Sequence, residues 1–175
     1  MTTAETIGYL SPRRAKLLAR MNAVTTEELT CFIGSNPGRF LPTWEKMRSQ
    51  AGGKSYFIWS WNWPAFFFGF AWFMYRKMYG AAALFFFAPI AVALFTPASG
   101  GLAYAGSVGL LGKMLYLHHA RSKIQKIKDR AATPEEAAEK IAGAGGVSVL
   151  AGVLGGLIWL GLQLLILAPL IARRL

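Results

Sequence analysis

From Val147 to Ala172 the sequence runs for 26 residues without a charged side chain. Coiled as a helix it is roughly 39 Å long, at about 1.5 Å per residue. A bilayer's hydrocarbon core is about 30 Å thick, so residues 147–172 read as a transmembrane helix with room to tilt. Two shorter apolar segments, Gly80 to Thr96 and Leu102 to Leu117, flank Pro97, Ala98, Ser99, Gly100 and Gly101. That link is uncharged and turn-forming, so residues 80–117 are predicted as a transmembrane helical hairpin, with Pro89 bending its first arm.

The composition fits this placement. Hydrophobic residues make up 54% of the 175-residue chain and charged residues 15%, with a formal net charge of +11. Many bases flank the apolar segments, where they meet anionic lipid headgroups, so a lipid bilayer rather than nucleic acid is the expected partner. Cys31 stands alone, which rules out a disulfide or a thiolate cluster within one chain, and it is expected to be buried and inert. Met1 to Asn22 has no apolar core followed by a small-residue cleavage site, so insertion is expected to rely on the internal spans.

Residues 1–55 read as a small basic helical region. Ser11 and Pro12 form a cap and first-turn proline, with Leu17, Leu18, Met21 and Val24 on one face and Arg13, Arg14, Lys16 and Arg20 around the rest. Such a helix suits an anionic membrane surface and packing against the rest of the region equally well. Thr25 and Glu28 have capping-box spacing. Asn36 and Pro37 start a further helix, in which Phe40, Leu41, Trp44 and Met47 share a face and Pro42 introduces a kink. Ser49 to Ser55, with Gly52 and Gly53, is a polar link.

Residues 56–79 are the most unusual stretch, with 13 aromatic side chains among 24 residues. Asn62, Trp63 and Pro64 suit a helix start, but the uncharged run Trp63 to Tyr75 is 13 residues, roughly 20 Å of helix. Extending it back to Phe57 gives 19 uncharged residues, enough for a full span. Charge bias decides between the two. Residues 1–56 hold eight bases, Arg76 and Lys77 follow the aromatic run, and residues 118–146 hold six more, while the Pro97 to Gly101 link has none. Short basic loops stay cytoplasmic. A crossing at 57–75 would export one of these basic regions, so the aromatic segment is expected at the cytoplasmic interface or as a re-entrant half helix. Three crossings follow it, and the carboxyl terminus lies outside with Arg173 and Arg174. Residues 118–146 are then cytoplasmic: the second hairpin helix runs on through a stripe of Ala120, Ile124, Ile127 and Ala131, and a new helix is capped by Thr133, Pro134 and Glu136.

Several of these residues carry a resemblance. Phe32, Ile33, Gly34, Ser35 and Asn36 with Trp44, Glu45 and Lys46, then Trp61 to Gly69 with Trp72 and Tyr75 to Tyr79, resemble the two signatures of the bacterial domain-of-unknown-function 2628 family. Gly112 to His119 resembles a third pattern, with Lys113 where that family has asparagine. The resemblance runs over roughly residues 31–130. It implies a small bacterial inner-membrane protein and no particular activity.

The expected fold is all-α, an integral membrane helical bundle with a small basic cytoplasmic amino-terminal region. Trp59, Trp61, Trp63, Trp72, Tyr75, Arg76, Lys77 and Tyr79 are the expected membrane-interface residues. Gly101, Ala105 and Gly109, and Ala144, Ser148, Gly152 and Gly156, recur every four residues and are the expected helix-packing ridges. Lys113, the one charge within a predicted span, and Gln163, expected to be buried in the last helix, are the candidate lining of a polar path; Lys113 also suits snorkelling, and Gln163 a hydrogen bond to a neighbouring helix. His118 and His119 point about 100° apart on a helix and do not converge on one ion, so neither metal nor cofactor is expected. No phosphate loop, paired carboxylates or nucleophile triad appears, so no catalysis is expected. The expected function is an accessory, scaffold or assembly subunit that binds another membrane protein or a second copy. The alternative is a small homo-oligomeric channel or transporter.

Overall fold

The computed structural model describes residues 12–50, 58–93 and 101–172. All regular elements among these are helical. The Ser11 cap, the Gly52–Gly53 link, the hairpin tip at 97–100, and Arg173 and Arg174 lie outside the described residues, as do the side chains of Arg13, Arg14, Lys16, Leu17 and Arg20. The chain divides into two compact units. Unit 1 combines Met1–Ser60 with Lys113–Gly146, and unit 2 combines Trp61–Gly112 with Val147–Leu175.

Unit 1 holds α1 (Pro12–Asn22), α2 (Thr26–Ile33), a 3-10 turn (Pro37–Arg39), α3 (Leu41–Gln50), the second half of α7 (Gly101–Lys128), and α8 (Pro134–Ala144). Thr25 starts α2 with a reciprocal capping box: its hydroxyl accepts from the Glu28 N–H at 3.1 Å, and the Thr25 N–H donates to Glu28 at 2.8 Å. The cap of α8 is displaced by one residue. Thr133 accepts from the Glu136 N–H, but Glu136 reaches back to the N–H of Ala132. Pro42 does not kink a long helix. Asn36 adopts a left-handed conformation ahead of the 3-10 turn, and α3 then begins at Leu41, which leaves Pro42 in a first turn that needs no N–H.

The core of unit 1 follows helical spacing. Met21, Leu29, Ile33, Trp44 and Met47 are fully buried, with Tyr116, Leu117, Ala120, Ile124 and Ile141. Phe40 packs on Tyr116 at 4.9 Å between ring centroids. These apolar side chains explain why the unit boundary on α7 falls at Lys113, four residues before the predicted end of the hairpin at 117. Charged groups lie outside this core: Lys128 bridges Glu28 at 2.6 Å and donates to the Ala23 carbonyl at 2.9 Å. Cys31 is exposed, contrary to expectation, because α2 turns Leu29, Phe32 and Ile33 inward and leaves position 31 on the opposite face.

Unit 2 holds α4 (Trp63–Phe68), α5 (Phe70–Tyr75), α6 (Tyr79–Ala93), the first half of α7, and α9 (Val149–Ala172). Among the described residues, Pro134–Leu165 contains the one segment long and apolar enough to cross a membrane, with mean hydropathy 2.0 and only 17% of that window buried. α6 is apolar but shorter. At 15 residues it is roughly 22 Å long.

Candidate functional site

The aromatic segment is not one helix. Gly69 sits at φ +50°, a left-handed conformation that ends α4 and restarts the chain as α5. Each piece has six residues, or about 9 Å, so Trp63–Tyr75 does not form the single spanning rod that Phe57–Tyr75 allowed on length. α5 closes with a Schellman arrangement around Lys77, at φ +58°. The Met78 N–H donates to the Phe73 carbonyl at 2.8 Å and the Lys77 N–H to that of Met74 at 3.0 Å. This satisfies carbonyls that the short helix leaves unpaired, and buries Phe73 and Met78 beside each other's turn.

Three helices pack against this broken segment. α7 approaches through two glycines: a Cβ at Gly109 would lie 3.0 Å from Phe66 Cβ, and one at Gly112 would lie 2.9 Å from Ala65 Cβ. The Asn62 N–H donates to the Gly109 carbonyl at 2.9 Å. α9 approaches through Gly152, where a Cβ would lie 2.9 Å from the Tyr75 ring, and Gly155, where a Cβ would lie 2.9 Å from Met74 Sδ and 3.0 Å from Ala71 Cα. The Ser148 N–H donates to the Tyr75 carbonyl at 2.8 Å. α6 contributes rings: Phe85 stacks on Phe73 at 4.8 Å, and Phe86 meets Phe70 edge-on at 4.9 Å.

The predicted packing ridges therefore divide. Gly109 and Gly152 lie at close approaches, whereas a Cβ at Gly101 or Gly156 would meet nothing within 4 Å. Gly112 and Gly155 were missed. They sit three residues after Gly109 and Gly152, so an i, i+3 search would have found them where an every-fourth-residue search did not. Ala144 and Ser148 do not belong to one ridge with Gly152, because α8 ends at Ala144 and Gly146 turns the chain at φ +72° before α9. A Cβ at Gly145 would collide with the Phe32 carbonyl, which also accepts from the Gly146 N–H at 2.7 Å. Ser148 acts instead as the N-terminal cap of α9, its hydroxyl accepting from the Ala151 N–H at 3.3 Å.

The expected interface residues divide as well. Trp59 is 73% exposed and Trp63 60%, and Tyr79 is exposed. Trp61, Tyr75 and Lys77 are half-buried. Trp72 and Arg76 are each only 6% exposed, so they do not belong to an exposed collar. The reason is helical phase: Trp72 and Arg76 are four residues apart and share the inward face of α5 and its cap.

In unit 2, α4, α5, α6, α7 and α9 line an open-sided cavity of about 420 Å³. Phe85, Phe86 and Trp159 give it aromatic walls, and Gly101, Ala105 and Gln163 also line it. The Tyr104 hydroxyl turns away from solvent to donate to the Phe85 carbonyl. Gln163 is exposed rather than buried. Lys113 belongs to unit 1 and Gln163 to unit 2. No group of three or more metal-ligating side chains occurs among the described residues.

Residues 19–130 match the family described as "Protein of unknown function (DUF2628)". The chain belongs to that family. No curated protein and no solved structure matches it. The DUF2628 match begins within α1, twelve residues before the expected start of the resemblance at residue 31, and covers the broken aromatic segment, α6 and all of α7. It ends at Arg130, so Gly152 and Gly155 on α9 pack on the DUF2628 segment from outside it.

Proposed function

We propose that this DUF2628 protein is a non-catalytic integral membrane protein of the bacterial inner membrane, serving as an accessory or assembly subunit that grips another membrane protein through unit 2. The observation that carries this reading is the outer face of α9. Leu150, Val153, Leu157, Leu160, Leu164 and Leu165 are all exposed there. Soluble monomers rarely leave so long an apolar ridge in water. On the same helix, Gly156 and Gly161 have open space where a Cβ would stand. Glycines that no helix among the described residues uses allow close approach by a helix from elsewhere, where lipid gives no hydrophobic drive to association. Unit 1 contains every acid in the sequence and all but four of the bases, which suits the cytoplasmic side.

Affinity purification of the full chain in a mild detergent tests the proposal. A stoichiometric second membrane protein, lost with Gly156→Leu but retained with Gly106→Leu, is the expected result. A homo-oligomer that conducts ions in liposomes, with flux abolished by Lys113→Leu, would establish the channel reading instead. Reporter fusions after Gly53, Arg76, Gly100 and Arg174 are expected inside, inside, outside and outside. An exported Gly53 would overturn the orientation.

A further inference from the structure

Unit 1 carries a second concavity, unrelated to the aromatic cavity in unit 2. It has a volume of about 490 Å³ and lies between the carboxyl-terminal half of α7 and α8. Its α7 wall presents His119, Ser122, Lys123 and Lys126, Arg130 joins from the turn after α7, and Lys140 faces it from α8. Positions 119, 122, 123 and 126 are spaced i, i+3, i+4 and i+7, the repeat of one helix face. No carboxylate lines the cleft. Asp129 lies in the adjoining groove with Arg121 and Lys126, and Glu136 is taken up by Lys140. Among the described residues, Lys123, Lys126 and Arg130 form no ion pair.

Such a face opposes helix formation. Lys123 and Lys126 are three residues apart, where like charges repel along the helix surface. The repulsion extends to the imidazole: burial first, then Lys123 and Lys126, holds His119 below its ordinary pKa of 6.5. A solvated basic helix avoids this by spreading its charges around the circumference. Here Lys123, Lys126 and Arg130 line one hollow against α8, with a hydroxyl and an imidazole beside them. That is the donor set of an anion site, in which ammonium and guanidinium groups make charge-assisted hydrogen bonds to tetrahedral oxygens.

We propose that the cleft between α7 and α8 binds a phosphate group, with Lys123, Lys126 and Arg130 as its ligands and Ser122 and His119 as supplementary hydrogen-bonding partners. The phosphate is that of a lipid headgroup or of a soluble phosphate compound. Both present the same dianionic or monoanionic oxygens. Size is no obstacle, since a volume of this order accommodates a phosphate together with part of the molecule that carries it.

The test is isothermal titration of the full chain in neutral detergent, with inorganic phosphate in one arm and short-chain phosphatidic acid in the other. The variant K123E/K126E is compared with K46E/R48E, which makes the same charge change on α3 and outside the cleft. All these positions lie away from the fully buried core, and matched melting curves confirm folding. Saturable binding in either arm, weakened about tenfold or more by K123E/K126E and changed less than about twofold by K46E/R48E, is the expected result. Binding of phosphatidic acid alone identifies a lipid headgroup, and binding of inorganic phosphate identifies a soluble source. No binding in both arms, or equal weakening by the two variants, would overturn the proposal. Neither outcome depends on whether unit 2 grips a partner, so the two readings fail separately.

Discussion

Trp44 in unit 1 and Trp63 in unit 2 are the same side chain placed under opposite rules. Trp44 is fully buried, as are Met21, Met47 and Leu117, while the surface of the unit carries lysine, arginine and glutamate. Trp63 is 60% exposed, stacked on Phe67, and the helices of its unit present leucine and valine outward. Unit 1 hides its apolar surface as a soluble domain does. Unit 2 reserves its tightest packing for small residues, with Ala65, Ala71, Gly152 and Gly155 at the points where helices touch, and leaves many large apolar side chains outside. The proposed placement of unit 2 in lipid accounts for the difference. Where water surrounds a helix bundle, burying large apolar groups drives packing. Where lipid surrounds it, that drive is absent, and close backbone approach takes its place.

The sharpest way to break this comparison is to truncate both tryptophans. We expect Trp44→Ala to lower stability by about 3–5 kcal/mol, as deletion of a fully enclosed aromatic does. Trp63→Ala should cost no more than about 1.5 kcal/mol, the scale of its lost ring contacts. Chemical denaturation in detergent, followed by far-ultraviolet circular dichroism, measures both. Comparable losses would mean that the two units share one packing rule.

A charge on the outer face of α9 comes next. Leu157 is exposed, so Leu157→Lys should leave the detergent-solubilised fold intact yet oppose membrane insertion by about 2.5–3.5 kcal/mol. Carbonate extraction of membranes reads the outcome. Release of the unsubstituted chain by carbonate would remove unit 2 from lipid.

Within α9 itself, neighbouring glycines separate contact from surface. Gly155→Ala forces a methyl against Ala71 Cα and Met74, and is expected to destabilise by about 1–3 kcal/mol. Gly156→Ala, in open space, is expected to stabilise by up to about 1 kcal/mol through helix propensity alone. Opposite signs at adjacent positions, read from melting temperatures, fix the face on which α9 packs.

The smallest effect concerns acid. His118 is held below its ordinary pKa by burial and then by Arg121, and His119 by burial and then by Lys123 and Lys126. The unfolded chain, titrating near 6.5, therefore takes up protons that the folded unit refuses. The stability of unit 1 is full above that value and declines as pH falls through the window beneath it. Melting in phosphate-free buffers from about pH 7.5 to about pH 5 should show this decline, and H118Q/H119Q should flatten it. An unchanged slope in that variant would place the acid sensitivity elsewhere.

Much of this was legible in the sequence because the relevant interactions are local. The capping box at Thr25 and Glu28 needs only three residues of separation. The uncharged stretch that became α9, the continuation of α7 into a basic half, and the stripe of Ala120 and Ile124 are properties of composition and of a 3.6-residue period. The basic face of α7 could have been found in the same way, from the spacing of His119, Lys123 and Lys126. Its concavity could not, since Lys140 joins from another helix. Gly69 was visible as a glycine, but sequence does not say that its φ is positive, and that one torsion turns a 13-residue run into two six-residue pieces.

The sequence by itself therefore determined helix content, the most apolar segment and the concentration of charge, because each follows from a residue's own chemistry and its near neighbours. Tertiary structure alone decided which side faces inward where apolar or small residues surround an element or polar ones flank it. It buried Trp72 and Arg76 in the aromatic segment, exposed Cys31, and selected Gly152 and Gly155 over Gly156. Those choices depend on which partner helix lies a few ångströms away, and a contact between residues eighty positions apart, such as Gly155 with Met74, leaves no periodic trace in either segment.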